Sequence, residues 1–404
     1  MVTVSGRRAT GSGVAAGVWA TRAVFAANGA LFATWVSRIP AVRDRLEADE
    51  RGLGFALLCL AVGSLLAMPL SSRLIGRFGD RAVIVVCVVA CLLAYPALGV
   101  VPNLVALGAV LFVVGAGVGV WDVAMNVAGH EVERRAGRPL MPGFHAGWSL
   151  GTIAGAAVGA LAAHAGVVPS LHFAVASALV GGLALVAVIR LPDSRQAGAA
   201  DAAGEHHVPG VPGRPVLLDP RLLGLGLMTF CAAWAEGSAN DWLALTLADA
   251  RDASGAAAAV GFAVFAGAMT LGRLAGSRTV AMLGRVRTLR VGAVVAAVGV
   301  CVLLAVPSLA AGYLGALLWG LGVAAAFPLA MSAAGETPGR GPAAIAMVST
   351  IAYAGFLVGP PLIGSLAHAT ALDQALWVVV LLTAGIVALS GTARPVRGGV
   401  GVRG

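Results

Sequence analysis

An aspartate and an asparagine set in an otherwise apolar run are the first residues of this chain able to do chemistry. The stretch Gly115 to Gly129 reads GAGVGVWDVAMNVAG, and Gly115, Gly119, Asp122 and Asn126 follow one another at intervals of four, three and four. That spacing stacks them on one face of a helix, small residues first and polar ones after. An acid in hydrocarbon is costly unless water, cargo or a partner meets it. Asp122 therefore has two readings: a proton-coupling acid, or the anchor of an inner gate through an arginine such as Arg73, Arg77 or Arg278. Asn126, one turn on, is a candidate solute contact. A second acid lies in another apolar run, where Glu236 and Asn240 are four residues apart and Asp241 is next. A desolvated carboxyl at Glu236 can take up and release a proton while touching a solute, or can serve as a static hydrogen-bond partner. Asp241 reads as a gate or cap. Phe25, Asn28, Phe32 and Trp35 share a helical face. They offer an amide and aromatic surfaces to a small organic solute, or form a packing stripe with Asn28 bonded to a neighbouring helix. His145 shares a face with Trp148, Ser149 and Thr152, and is either a proton carrier reaching Asp122 or Asn126, or a structural donor. Trp121, Trp148, Trp234 and Trp319 all fall inside apolar runs, and Trp121 and Trp319 are taken as solute-facing. His164 and His368 read as structural, and Met125 and Met331 as gap fillers.

The elements that hold these residues are membrane helices. Apolar residues make up 59% of the chain and charged ones 11%, against about one quarter charged in a soluble domain. A helix crossing the bilayer needs about 20 apolar residues. Such windows fit at 18–37, 53–75, 82–101, 104–128, 141–163, 170–190, 222–247, 257–280, 288–306, 309–334, 343–367 and 372–392. The longest polar interruption, 191–219, holds Asp193, Asp201, Glu205, His206, His207 and several prolines, and reads as a linker. The expected organisation is a tail over 1–17, a six-helix bundle over 18–190, a linker over 191–221, a second six-helix bundle over 222–392 and a tail over 393–404. With those spans, Arg38, Arg43, Arg45, Arg51 and Arg251 fall on one side and the other arginines on the opposite one, Arg22 and Arg273 being counted with nearby helix ends. The arginine-rich side is the cytoplasmic one, which places both termini and the linker inside. The segment from Arg38 to Arg51 matches four arginines with Asp44, Glu47, Asp49 and Glu50 and reads as a short surface helix.

All 27 basic residues are arginine, which with the Ala, Gly and Val excess points to a GC-rich bacterial coding bias. A chain without lysine has no G-x-x-x-x-G-K-[ST] phosphate loop, and so does not drive transport with ATP by itself. No HExxH, G-x-S-x-G or paired His/Asp spacing qualifies as a catalytic site, and the five cysteines sit in apolar runs without metal or disulfide spacing, so neither an enzyme nor a cofactor is expected. The net charge of +9 is explained by arginines flanking the spans, not by nucleic acid. The first apolar run continues past Phe32 without a cleavage site and reads as a retained span.

The chain repeats itself. Ala124, Met125, Ala128 and Gly129 return as Ala330, Met331, Ala334 and Gly335 (330 − 124 = 206), with Ser332 answering Asn126. Ser72 to Ile75 returns as Ser277 to Val280 (277 − 72 = 205), and Gly151, Gly155 and His164 return as Gly355, Gly359 and His368 (355 − 151 = 204). Six spans per copy is an even number, so both copies have the same membrane orientation, a parallel repeat about an axis along the membrane normal.

From about Val18 to about Thr392 the chain resembles the major facilitator superfamily, and within it the YbjJ-like bacterial branch. The loop Ser72 to Arg81, SRLIGRFGDR, is similar to the family's basic loop G-x-L-x-D-R-x-G-R-R, with Gly76 in place of Asp, Ser72 in place of Gly and Asp80 in place of a basic residue. The resemblance implies an all-α membrane protein of twelve transmembrane helices in two six-helix bundles, with the first, fourth, seventh and tenth lining a cavity. It implies a gate set of Arg73, Arg77, Arg81, Glu131, Arg278, Glu336 and Asp241, with Glu131 and Arg138 similar to an acidic-basic pair of sugar porters. The fourth span lacks the exporters' arginine, reading Leu111-Phe112-Val113, and the fifth lacks the antiporters' Gly-Pro, which stands in the eleventh as Gly359-Pro360-Pro361. Together these lead to a monomeric, proton-coupled secondary transporter of the bacterial inner membrane, taking up a polar or sugar-like solute. The alternatives are a proton-driven efflux pump and a non-transporting membrane sensor.

Overall fold

The computed structural model describes residues 11–137, 140–191, 219–338 and 340–395. The expected N-terminal tail and linker lie largely outside these residues, as do the end of the C-terminal tail, Arg138, His206 and His207. The helices are α1 Gly11–Val36, α2 Ile39–Leu46, α3 Glu50–Phe78, α4 Asp80–Leu98, α5 Leu104–Ala136, α6 Met141–His164, α7 Pro169–Val188 and α8 Pro220–Arg251. They continue as α9 Gly255–Leu283, α10 Arg285–Ala305, α11 Leu309–Val323, α12 Ala326–Gly335, α13 Gly341–Ala369, α14 Leu372–Ala375 and α15 Trp377–Leu389, followed by a 3-10 turn, Ser390–Ala393. Among the described residues eleven helical stretches are long and apolar enough to cross a membrane, α11 with α12 and α14 with α15 each making one. α1 is the other long helix. Its 26 residues are long enough to span, but Arg22 and Asn28 make it less apolar than the rest.

Helix ends are set by local chemistry. Asn103, Ser254 and Ser308 accept hydrogen bonds from backbone N–H groups at the starts of α5, α9 and α11, and Asp219 does so for α8. At 33 residues α5 is about 50 Å long against about 30 Å of hydrocarbon, so one end projects beyond it. The tenth span, expected unbroken over 309–334, is interrupted between α11 and α12. Pro328 has no N–H for the carbonyl of Ala324, and the helix breaks one turn ahead of it. The repeat-related position in α5 is Asp122 (328 − 206 = 122), and α5 runs on.

The described residues fall into two compact units. One holds residues up to Trp35 and from Cys59 to Leu191; the other holds Val36–Leu58 and everything from Asp219 on. Their internal packing repeats. In the first unit a Cβ on Gly151 of α6 would collide with the Ala26 carbonyl of α1; in the second, one on Gly355 of α13 would lie 2.6 Å from the Phe230 carbonyl of α8. The spacing is the same for both partners (230 − 26 = 204), so the shared glycine is a backbone-to-backbone contact used twice. Gly115 against Leu60 and Gly320 against Phe265 form a second such pair (320 − 115 = 205). Gly79 and Gly284, which precede α4 and α10, have φ of 83° and 75°, a conformation that favours glycine.

Candidate functional site

In the first unit the polar residues of α1 and α6 meet along the glycine seam. Trp148 donates its indole N–H to Asn28 Oδ1 at 3.0 Å, and Phe32 stacks on the Trp148 ring at 6.0 Å. Asn28 is 3% exposed and its Nδ2 has no hydrogen-bond partner among the described residues. Of the face foreseen on α1, Phe25 and Trp35 are fully buried, against Phe144 and Phe173 respectively, and serve packing. Asn28 is bonded to the neighbouring helix, while Phe32 keeps part of its ring accessible. His145 is exposed and meets Phe25 edge-on at 5.3 Å. Ser149 and Thr152 return their hydroxyls to the carbonyls of His145 and Trp148 one turn back.

On α5, Asn126 donates to the Asp122 carbonyl at 2.8 Å and faces its carboxylate at 3.5 Å. The pair thus closes on its own helix. Trp121 is 0% exposed, with its indole N–H unpartnered among the described residues, and offers no surface to a solute here. Near the C-terminal end of α5, Glu131 pairs with Arg134 and Arg135 of the next turn. Glu133 accepts the backbone N–H groups of Leu140 and Met141 and so caps the start of α6. Of the expected basic gate, Arg73 and Arg77 are exposed, Arg77 lying over Phe78. Arg81 is not aimed at an acid: it donates to the carbonyls of Val188 and Ile189 at the end of α7. Free carbonyls at a helix C-terminus attract a cation, and that is the role the structure gives it.

In the second unit an ion pair joins two of the long apolar helices. Glu236 of α8 receives Nη2 of Arg273 of α9 at 3.2 and 3.3 Å on its two oxygens. Arg273, counted in the sequence with the helix end it adjoins, is followed by ten residues of α9 (283 − 273), about 15 Å of helix. Its Nε is buried without a hydrogen-bond partner among the described residues. Asn240 and Asp241, on the next turn of α8, are half-buried, and Arg278 is exposed. Trp319 is 0% exposed and packs edge-on against Phe265, so it belongs to the core of this unit. Trp234 is packed over Gly359, where a Cβ would lie 2.9 Å from its ring. Glu336 forms a two-nitrogen pair with Arg285, at 3.0 and 2.6 Å. The hydrogen bonds from Arg285 hold the Glu336 carboxyl below the usual glutamate range. Arg285 also donates to the Ala393 carbonyl, repeating the contact of Arg81 with Ile189 (393 − 189 = 285 − 81 = 204).

The polar groups mark where the two copies differ. Asn28 and Trp148 correspond to Ala232 and Ala352 (232 − 28 = 352 − 148 = 204), both buried. Glu236 corresponds to Phe32 (236 − 32 = 204) and Arg273 to Met68 (273 − 68 = 205). The same helix packing is therefore built without these polar pairs in the other copy.

The segment Arg38 to Arg51, which reads as a short surface helix, is helical over Ile39–Leu46 and belongs to the second unit. The segment Val36–Leu58 forms α2, which buries Ile39, Pro40 and Val42, and leads into the start of α3. Arg43 bonds Asp249 at the end of α8 with two nitrogens and also bonds Asp44; His368 pairs with Asp49 at 3.2 Å. The hydrogen bonds to Asp249, reinforced by Asp44, keep the Arg43 guanidinium above the usual arginine range against the opposing effect of burial. Backbones close up as well, since a Cβ on Gly54 would lie against the Pro360 carbonyl. Beside these contacts lies a cavity of about 770 Å³ lined by Arg43, Glu50, Asp249, His368 and Asp373, among others. His368, taken as structural, lines this basin.

Comparison with known proteins agrees with this architecture. The chain is 34% identical over 379 residues to an uncharacterised MFS-type transporter of Yersinia pestis, covering 93% of this chain and 94% of that protein. It is 33% identical to an uncharacterised transporter of Sinorhizobium fredii, covering 94% and 96%, and 28% identical to the membrane protein MosC of Rhizobium meliloti, covering 88% and 85%. Among solved structures it resembles the nucleoside transporter NupG, with a TM-score of 0.75, 12% identity and coverage of 93% and 98%. It also resembles a bacterial homologue of the lysosomal transporter Spinster, with a TM-score of 0.71, 13% identity and coverage of 95% and 98%. The family model of the Major Facilitator Superfamily matches residues 18–341, and with the duplicated helical bundles and the relatives above, this chain belongs to that superfamily of membrane transporters.

Proposed function

We propose that this chain is a proton-coupled importer of a small polar solute, working as a monomer in the bacterial inner membrane with both termini cytoplasmic. The observation that carries the reading is the Glu236–Arg273 pair: an acid in contact with a base within two membrane helices, at positions where the other copy has Phe32 and Met68. An ion pair in hydrocarbon costs more to assemble than an apolar contact of the same volume, so its presence calls for a use beyond packing. Protonation of Glu236 would release Arg273, a change one side of the membrane could trigger and the other reverse. Asn28, Trp148 and Phe32 supply an amide, an indole and an aromatic face on the other copy. The halves 18–190 and 222–392 are taken as the moving bodies of alternating access, and the YbjJ-like branch is kept as part of this proposal.

Uptake is favoured over efflux by the missing exporter residues at Leu111 to Val113 and the missing Pro along Gly147, Gly151, Gly155 and Gly159. The test is flux into proteoliposomes under an imposed pH gradient. Glu236→Gln is expected to abolish uphill accumulation while leaving solute exchange; unchanged accumulation in that variant removes Glu236 from the mechanism.

A further inference from the structure

We propose that Arg273 is the anchor for a carboxylate on the transported solute, which takes the place of Glu236 as that side chain accepts the accompanying proton. This deepens, and rests on, the proton-coupled reading above.

Three observations converge on Arg273. Its bond to Glu236 is made by one nitrogen, shared between two oxygens at 3.2 and 3.3 Å, where Arg285 commits two nitrogens to Glu336 at 3.0 and 2.6 Å. A guanidinium is built for two parallel bonds to one planar anion, and Glu236 leaves that fork unfilled. The Nε–H of Arg273 is buried and has no hydrogen-bond partner among the described residues, a donor left waiting for an acceptor. The side chain is nonetheless 32% exposed, and Glu236 is 17% exposed, so the protein does not fully enclose the pair.

Charge balance then selects the solute. A neutral solute has nothing with which to replace the Glu236 carboxylate, and protonating Glu236 in its presence would leave Arg273 as an uncompensated cation in the membrane. A carboxylate brings one negative charge as the proton brings one positive charge. The proton forms an O–H bond on Glu236, the solute oxygens accept from Arg273, and the net charge of the site is unchanged. On release both steps reverse. The solute class is therefore a small organic acid.

The experiment uses the full-length protein in lipid nanodiscs and matched probes: gluconate against glucitol, lactate against propane-1,2-diol, benzoate against benzyl alcohol. At least one carboxylate is expected to raise the melting temperature where its neutral partner does not, with about one proton taken up per site as read by a pH dye. Arg273→Lys, which keeps the charge but not the fork, is expected to weaken that response by about tenfold or more. The exchanged pair Glu236→Arg with Arg273→Glu should keep the fold and lose the carboxylate response, because the acceptor and donor have traded helices. If the exchanged pair does not fold, Glu236→Gln serves instead: carboxylates should still bind, now without proton uptake. Retention of the response in the exchanged pair, equal effects of neutral partners, or silence of the whole carboxylate series overturns the proposal. Gradient-driven flux of a solute that carboxylates do not compete with would reject the anchor and leave proton-coupled transport standing. Carboxylate binding to Arg273 without proton uptake in the wild type would instead reject the proton exchange.

Discussion

Rebuilding the second copy in the image of the first should separate stability from transport. The perturbation is Glu236→Phe with Arg273→Met, the residues found at the corresponding places, Phe32 and Met68. Two unit charges 3.2 Å apart attract by about 5 kcal/mol at an effective dielectric of about 20, and desolvation of both groups offsets most of this. Deleting one member of a fully buried pair costs about 3–5 kcal/mol because the other charge is stranded. Here the side chains are 32% and 17% exposed, short of full burial, so either single change is expected to cost less, about 1–3 kcal/mol. The double replacement strands nothing and should lie within about 1 kcal/mol of the parent, or above it. Stability would be read by unfolding in mixed micelles titrated with SDS, and transport by gradient-driven uptake in proteoliposomes. The expected outcome is two weakened single variants, one double variant of near-parental stability, and no uphill transport in any of the three. Additive losses in the double variant would show that the pair is needed for packing and refute the reasoning from the repeat.

Other consequences are open to measurement. Trp148→Phe keeps the ring against Phe32 but removes the donor to Asn28, and should cost about 0.6–1.5 kcal/mol; combined with Asn28→Ala it should add little further loss, as a double-mutant cycle would reveal. Gly151→Leu should prevent assembly of the first unit, since its side chain would enter the Ala26 backbone, whereas Gly267→Ala, with nothing within 4 Å of the added carbon, should be neutral or stabilising by up to about 1 kcal/mol. Glu336 has a depressed folded-state pKa, so its pairing with Arg285 stabilises fully above the ordinary glutamate range and is lost as pH falls through the lower folded value. Glu336→Gln should accordingly flatten the acid side of the stability profile, and a profile unchanged in shape would dismiss the pair as a stabilising contact.

The residues differ in how much of their role can be read before folding. The spans are legible because a bilayer demands about 20 apolar residues at a time, a constraint that acts on composition alone. The repeat is legible for a similar reason, since Gly151 and Gly355 must both admit a carbonyl and their spacing preserves the fact. The break before Pro328 is signalled by the proline itself, while the apolar run that continues through it reads as one unbroken span. Arg81 looked like part of a gate by its loop, yet its reach is to the end of α7, which no local pattern announces. Trp121 and Trp319 share with Phe32 the property of being aromatic in a span, and only their burial sets them apart.

What the amino-acid order determined alone, then, is the set of helices, their duplication and the presence of costly polar groups within them, because those follow from local hydropathy and fixed spacing. Which polar groups meet was decided by tertiary structure. Glu236 and Arg273 are 37 residues apart on successive helices, and their pairing depends on how α8 and α9 rotate about their own axes as they pack. Asn28 finds Trp148 across 120 residues for the same reason, since a side chain's partner is set by the relative turn of two helices that no single stretch of sequence encodes.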